Sequence, residues 1–329
     1  MKLVCLVVCS FAVLPFTSEF ASSQWVQSGL PNASVNTFAE SGSKLFAGTD
    51  GGVYLSTNNG LSWSAVNSGL TNLFLNTLAV SGTNLFAGTS GGGVFLSSNN
   101  GRNWTAVNDG LTNVSVLSLT VSGLNTSSAM LFAGTNGGAF RSTNNGTNWE
   151  AVNAYLANTT INTLVVGGTN GSVPMLFAGA GDRMHGGVFL SVDNSPIWTI
   201  ENTGLPNAAI HSLAVSDSIL FAGIQGDGVF RSTNNGKNWI AVNSGLTNHF
   251  VYCLASRGTT LFAGTRTGVF LSTNNGTNWT EVNNTDLSKA YVRALIVYDN
   301  NLFAGTQDAG VWICPVSELV ELLNARGTK

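Results

Sequence analysis

One short insertion gathers three ionisable side chains of different kinds. Asp182-Arg183-Met184-His185 puts an acid, a guanidinium and an imidazole within four consecutive residues. Such a set can grip a polar ligand. With a second carboxylate it can also assist glycoside hydrolysis, which needs two carboxyls about 5 Å or about 6.5–9.5 Å apart. Asp227 is the candidate partner for Asp182, and Asp308 for Asp50. Three further residues, His211, Tyr252 and Arg293, hold one position of an internal repeat whose other copies carry Asn36, Asn76, Leu117 and Asn162. Phe74 and Phe250 lie just ahead of that position and offer exposed aromatic contacts. The binding set read from sequence is Asp182, Arg183, His185, His211, Tyr252 and Arg293, with no catalytic residue assigned. The plainer alternative is that these are solvated loops that drifted between repeats. His185, His211 and His249 lack ligand spacing, so neither a metal site nor a cofactor is expected.

The scaffold that must hold these residues is written in the repeat. Leu-Phe-Ala-Gly begins at Leu45, Leu85, Leu131, Leu176, Leu220, Leu261 and Leu302, at spacings of 40 to 46 residues. That period fits a four-stranded propeller blade. Each period reads as strands A, B and C, rich in Val, Leu, Phe and Thr and broken at Gly, followed by a strand D at a Trp. The expected fold is all-β: a seven-bladed β-propeller of four-stranded antiparallel blades. The recurring Phe of Leu-Phe-Ala-Gly is read as core between stacked sheets. B–C and D–A loops should share one face, where function resides, and A–B and C–D loops the other. Arg141 and Arg231, which replace a Leu in strand C, are read as outer-strand residues rather than a substrate clamp.

The ends of the repeat region fit each other. Blade 7 reaches GVWICPV at Gly310 without a C–D turn motif, while QWVQSGL at Gln24 reads as a strand D with nothing before it. Residues 24–28 are therefore expected to pair with 310–316 and close the ring by the N-terminal strand, which removes two open sheet edges. Aligned on Ser-Gly-Leu, Trp25 falls two residues later than Trp63, a shift that keeps the face of a strand. The propeller is placed at 24–316, with 317–329 a C-terminal tail containing a helical turn around Glu318–Leu323.

The C–D turn recurs as STNNGLSW from Ser56, SSNNGRNW from Ser97, STNNGTNW from Ser142, SVDNSPIW from Ser191, STNNGKNW from Ser232 and STNNGTNW from Ser272. Asn-Gly supplies left-handed turn residues, and the Ser and Asn side chains can bond to the turn's own backbone. The motif resembles the Asp-box (BNR) repeat of sialidases, Vps10/sortilin-type receptors, xyloglucan hydrolases and photosystem II assembly factors. Asn58, Asn99, Asn144, Asn234 and Asn274 stand where that family has Asp. Only Asp193 keeps the acid, in a box whose Gly has become Ser195. The resemblance implies a structural box on the face opposite the active site, so it transfers no activity. A sialidase reading would require three convergent arginines, a Tyr nucleophile and an acid, and the Arg-Ile-Pro segment usual near the start of that family is absent.

Composition narrows the partners. One Lys precedes an apolar run from Leu3 to Phe16, interrupted at Pro15, with small residues Ala21 and Ser23 after it. Residues 1–23 read as a secretory signal peptide, too short for a membrane span of about 20 apolar residues. Charged residues make up 9% of the chain and the net charge is −3, against about 25% charged in ordinary domains. With no Lys/Arg cluster, nucleic acid is not an expected partner, and no membrane insertion is expected. Cys253 and Cys314 should remain free, because their strand positions in adjacent blades lie beyond the roughly 7 Å Cα limit of a bridge. Together these readings point to a monomeric, secreted or periplasmic, non-catalytic binding module whose ligand is an extracellular protein or a glycan. The alternatives are an Asp-box-type glycoside hydrolase and an assembly factor of the photosystem II type.

Overall fold

The computed structural model describes residues 25–30, 32–123, 129–156, 158–167, 174–181 and 186–327. It contains seven four-stranded antiparallel sheets. Blade 1 comprises A Val35–Ser41, B Lys44–Thr49, C Gly52–Ser56 and D Ser64–Ala65. Blade 6 comprises Val251–Arg257, Thr260–Thr265, Gly268–Ser272 and Thr280–Glu281. Blade 7 takes Val292–Tyr298, Asn301–Thr306 and Val311–Pro315, and completes itself with Val26–Gln27 from the other end of the sequence. Each A strand contacts the A strand of the next blade, and that of blade 7 contacts that of blade 1, so the innermost strands form a closed ring.

Strand B explains why Leu-Phe-Ala-Gly is continuously apolar rather than alternating. Side chains alternate faces along a strand, and here both faces are covered. Leu45 and Ala47 pack into a cluster with Tyr298, Phe303 and Val311 of blade 7. Phe46 turns the other way, against Leu75, Leu78 and Leu85 of blade 2. The equivalent Phe of every blade is at most 1% exposed.

The C–D turns are locked by their own side chains. In blade 3, Gly146 N donates to Ser142 Oγ at 2.8 Å, Ser142 Oγ donates to Asn144 Oδ1 at 3.0 Å, and Asn148 N donates to Asn144 Oδ1 at 2.9 Å. Asn145 and Gly146 are both left-handed, with φ of 56° and 79°, as this hairpin geometry requires. Asn does the work of Asp here by accepting a backbone N–H. Trp149 then donates from Nε1 to Val107 O of the preceding blade at 2.8 Å. Trp104, Trp198, Trp239 and Trp279 do the same at 2.7–2.9 Å. Each box therefore rivets its blade to the one before.

Closure follows the same rule. Val26 and Gln27 pair with Ile313 and Trp312, and Trp25 Nε1 donates to Val282 O of blade 6 at 2.6 Å. Trp25 thus acts as the box tryptophan of blade 7. The pairing register sets it level with Trp63, since Ser64 opposes Leu55 as Val26 opposes Ile313. The two-residue offset of the Ser-Gly-Leu alignment therefore falls after the strand, not at the tryptophan. Its consequence is a lost latch. In blades 1–6 an Asn after strand D accepts a strand C N–H, as Asn67 does from Val53 at 2.7 Å. In blade 7 that place is taken by Gly29, and Val311 N donates to Leu30 O at 3.3 Å instead.

The C-terminal segment forms a helix over Val316–Gly327, longer than the expected single turn. Leu319 and Leu322, one turn apart, are buried with Trp25, Trp312 and Cys314, so packing against the closing strands extends it. Arg141 pairs with Glu150 across strands C and D and donates from Nη1 to Asn194 O of the next blade at 2.7 Å. It braces blades on the box face and is not directed at the channel. Cys253 and Cys314 are free. Burial pushes the Cys253 thiol well up, and pushes Cys314 up to about 12 with a further contribution from Glu318. Residues 1–23 lie outside the described residues, among which no helix is long and apolar enough to cross a membrane.

Candidate binding site at the channel mouth

Every A strand carries a bulge near its first residue. In blade 1 the pairing with strand B runs Val35↔Thr49 and then Thr37↔Gly48, leaving Asn36 as the extra residue. The same slip isolates Asn76, Leu117, Asn162, His211, Tyr252 and Arg293. A bulge re-aims one side chain while the rest of the strand keeps its register. A repeat position that varies in chemistry is thus the one each blade frees from the ladder.

Fourteen residues further on, the first B–C tip residue stands beside the bulge. Asn36 Nδ2 donates to Asp50 Oδ1 at 2.6 Å, His211 Nε2 lies 3.1 Å from Gln225 Oε1, and Arg293 Nη2 donates to Gln307 Oε1 at 2.8 Å. The D–A loop contributes a third position, filled by Phe74 in blade 2, Phe250 in blade 6 and Tyr291 in blade 7.

Across blades 5 to 7 these positions converge. Tyr252 stacks on Tyr291 with centroids 6.3 Å apart and planes 23° apart, and meets His211 edge-on at 6.2 Å. The Arg266 guanidinium lies 5.0 Å from the Tyr291 centroid and 5.9 Å from that of Phe250. Its Nε donates to Tyr291 Oη at 2.6 Å. Gln225, Phe250, Tyr252, Arg266 and Tyr291 line an open cleft of about 520 Å³, and Phe250 remains 38% exposed within it. Arg293 is held by amides, with Nη1 donating to Asn36 Oδ1 at 3.0 Å and Nη2 to Gln307.

Of the residues chosen from sequence, the structure brings His211 and Tyr252 into contact and places Arg293 at the equivalent bulge of the adjoining blade. Asp182, Arg183 and His185 lie outside the described residues. Of the carboxylates weighed for hydrolysis, Asp50 and Asp308 turn to other partners. Asp50 accepts from Asn36, and Asp308 Oδ1 accepts from Ser34 Oγ at 2.7 Å. Tyr291, Gln225 and Gln307 escaped sequence reasoning. The interval of fourteen residues between bulge and tip that blades 1, 5 and 7 share, 36 to 50, 211 to 225 and 293 to 307, would have found the two glutamines. Among the described residues no group of His, Cys, Asp and Glu could hold a metal ion.

Fold and mouth together define a seven-bladed β-propeller with an asymmetric rim. Residues 14–133 match the family model described as DUF6242 beta propeller domain. No curated protein matches the chain significantly. Solved structures share the architecture. The extracellular domain of BT4673 from B. thetaiotaomicron superposes with TM-score 0.71 at 16% identity, over 88% of this chain and 40% of that one. YCF48 bound to D1 peptide gives TM-score 0.67 at 14% identity, over 90% of this chain and 97% of that one. The GH74 xyloglucanase from Xanthomonas campestris gives TM-score 0.64 at 17% identity, over 88% and 53%. The chain thus spans only 40% of the BT4673 domain. These neighbours include an enzyme and a peptide-bound assembly, and at such identities the likeness is one of fold.

Proposed function

We propose that this propeller is a non-catalytic binding module acting outside the cytoplasm, with a glycan or a protein segment seated over the blade 5–7 arc of the mouth. The observation that carries this reading is the cleft itself. Its described lining joins aromatic faces, an amide and a guanidinium, and includes no carboxylate. Aromatic side chains with adaptable polar neighbours form binding surfaces, whereas a glycosidase needs two carboxyls flanking one bond. The signal-like leader and the extracellular setting named for one structural neighbour support the compartment.

The test is a glycan array and a panel of secreted proteins, run beside chromogenic glycosides. Tyr252→Ala and Arg266→Ala should each weaken binding by about tenfold or more, while Lys237→Ala on the box face leaves it unchanged. Turnover of a glycoside that Asp182→Asn or Asp227→Asn abolishes would replace this reading with a hydrolase.

A further inference from the structure

We propose that the blade 5–7 cleft selects an acidic sugar, a glycan bearing uronic-acid carboxylates, with Arg266 as the carboxylate receptor; this rests on the reading of the mouth as the binding site. Arg266 is oriented without being neutralised. It is positioned between the rings of Phe250 and Tyr291, and its Nε donates to Tyr291 Oη. Among the described residues no carboxylate pairs with it, and its Nη donors have no protein acceptor. A planar fork held in one geometry matches a carboxylate bidentately and loses little further freedom on binding. Arg293, the next cation on the rim, is also held by neutral amides, those of Asn36 and Gln307. The described rim acids of blades 7 and 1 and of the loop before blade 7 are engaged elsewhere, and Asp227, exposed on the blade 5 tip, lies outside the cleft lining. Asp50 is bonded by Asn36, Asp308 by Ser34, and Asp286 lines the neighbouring cleft with Lys289.

The remaining lining argues for a sugar rather than a peptide end. An extended peptide is read through main-chain hydrogen bonds at a sheet edge or loop. Here the rim's main-chain groups are engaged with one another. Gly226 N and Gly228 N both donate to His249 O at 3.0 Å, Arg266 N donates to Phe250 O at 3.2 Å, and Gln307 N donates to Tyr291 O at 2.8 Å. Recognition therefore falls to side chains. The exposed ring of Phe250 and the half-buried rings of Tyr252 and Tyr291 suit the C–H face of a pyranose, and Gln225 and His211 suit its hydroxyls.

The experiment is calorimetric titration of the mature chain with uronic-acid oligosaccharides and with the same oligosaccharides after their carboxyls are reduced to alcohols. Peptides with a free C-terminal carboxylate form a third arm. The uronates should bind about tenfold or more tighter than their reduced counterparts, with the difference shrinking in high salt. Arg266→Ala should erase that difference without weakening the reduced sugar, and Arg266→Lys should restore it only in part. Tyr252→Ala should weaken both sugars. Unchanged melting temperatures confirm that these rim variants fold. Equal binding of uronate and reduced sugar at the mouth overturns acid recognition, and binding of the peptides alone overturns the choice of a sugar; both leave the mouth reading intact. Absence of uronate binding overturns the proposal. Sugar binding indifferent to Tyr252→Ala and Arg266→Ala but lost in Lys237→Ala overturns the mouth reading as well.

Discussion

The bulge of strand A is used in two ways around one ring. At Asn36, Asn76 and Asn162 the freed side chain stitches blades together, with Nδ2 donating to Leu75 O at 2.9 Å, Val116 O at 2.9 Å and Ile210 O at 3.2 Å. Each acceptor is the residue just before the next blade's bulge. At His211, Tyr252 and Arg293 the same position carries a ring or a guanidinium that turns to side chains along the rim instead. The D–A and B–C positions follow suit. Phe74 and Phe250 are equivalent and both exposed, but Phe74 is matched with Ser90 and Phe250 with Arg266. Only the second pair builds a cation-aromatic stack. One arc of the mouth is stitched by the amides of blades 1, 2 and 4, with Leu117 at the bulge of blade 3, and the other presents chemistry. A repeat scaffold can dedicate a single position to either task without altering its register, because the bulge lies outside the ladder.

A second seam frees the bulge for this choice. One residue beyond it, Thr37, Thr77, Ser118 and Ser212 accept hydrogen bonds from Leu78 N, Leu119 N, Leu164 N and Leu254 N at 2.9–3.3 Å. The blade 5 to blade 6 junction keeps this bond although His211 has replaced the asparagine. Between blades 6 and 7 the hydroxyl is replaced by Cys253, whose thiol donates to Val292 O at 3.7 Å.

The largest expected effect lies far from both arcs. Trp149→Ala removes a side chain 5% exposed together with its bond to Val107 O. It should cost about 3–5 kcal/mol in urea unfolding with ligand affinity unchanged for the folded fraction. A loss of affinity without a loss of stability would show the box face to be functional. A smaller effect is expected in the sealed arc. Asn76→Ala should cost about 1 kcal/mol and leave binding intact; lost binding there would erase the distinction between the arcs. The smallest concerns the thiols. Burial holds both well above the ordinary range, so alkylation at neutral pH should be negligible in the native protein. It should reach two labels within residues 24–329 after denaturation without reductant. Labels gained only after reduction would reveal a disulfide and contradict the strand register.

The blades were legible because their core repeats as words. Leu-Phe-Ala-Gly, the Asn-Asn-Gly turn and the orphan Gln24–Leu30 segment gave the blade count and the closure. Alignment on Ser-Gly-Leu sets Trp25 two residues off its place in the register, since that loop can move by two residues while a ladder cannot. The helix at Val316–Gly327 was understated because its apolar spacing gains meaning only with the closing strands beneath Leu319 and Leu322. At the mouth, His211, Tyr252, Arg293 and the exposed Phe250 stood out as departures from the repeat. The cleft itself was not readable. Tyr291 and Arg266 belong to different blades, and only the packing of blade 6 against blade 7 brings their side chains over one another.

The central claim is that the bulge residue decides between sealing and presenting, and Tyr252→Asn tests it most directly. The substitution installs in blade 6 the residue of blades 1, 2 and 4, with Val292 O in the place of Leu75 O. Thermal melting and ligand titration of this one variant give both halves of the answer. Stability should be retained or raised by up to about 1 kcal/mol, while ligand affinity falls by about tenfold or more. A variant that binds as well as the parent, or that loses several kcal/mol of stability, would contradict the account.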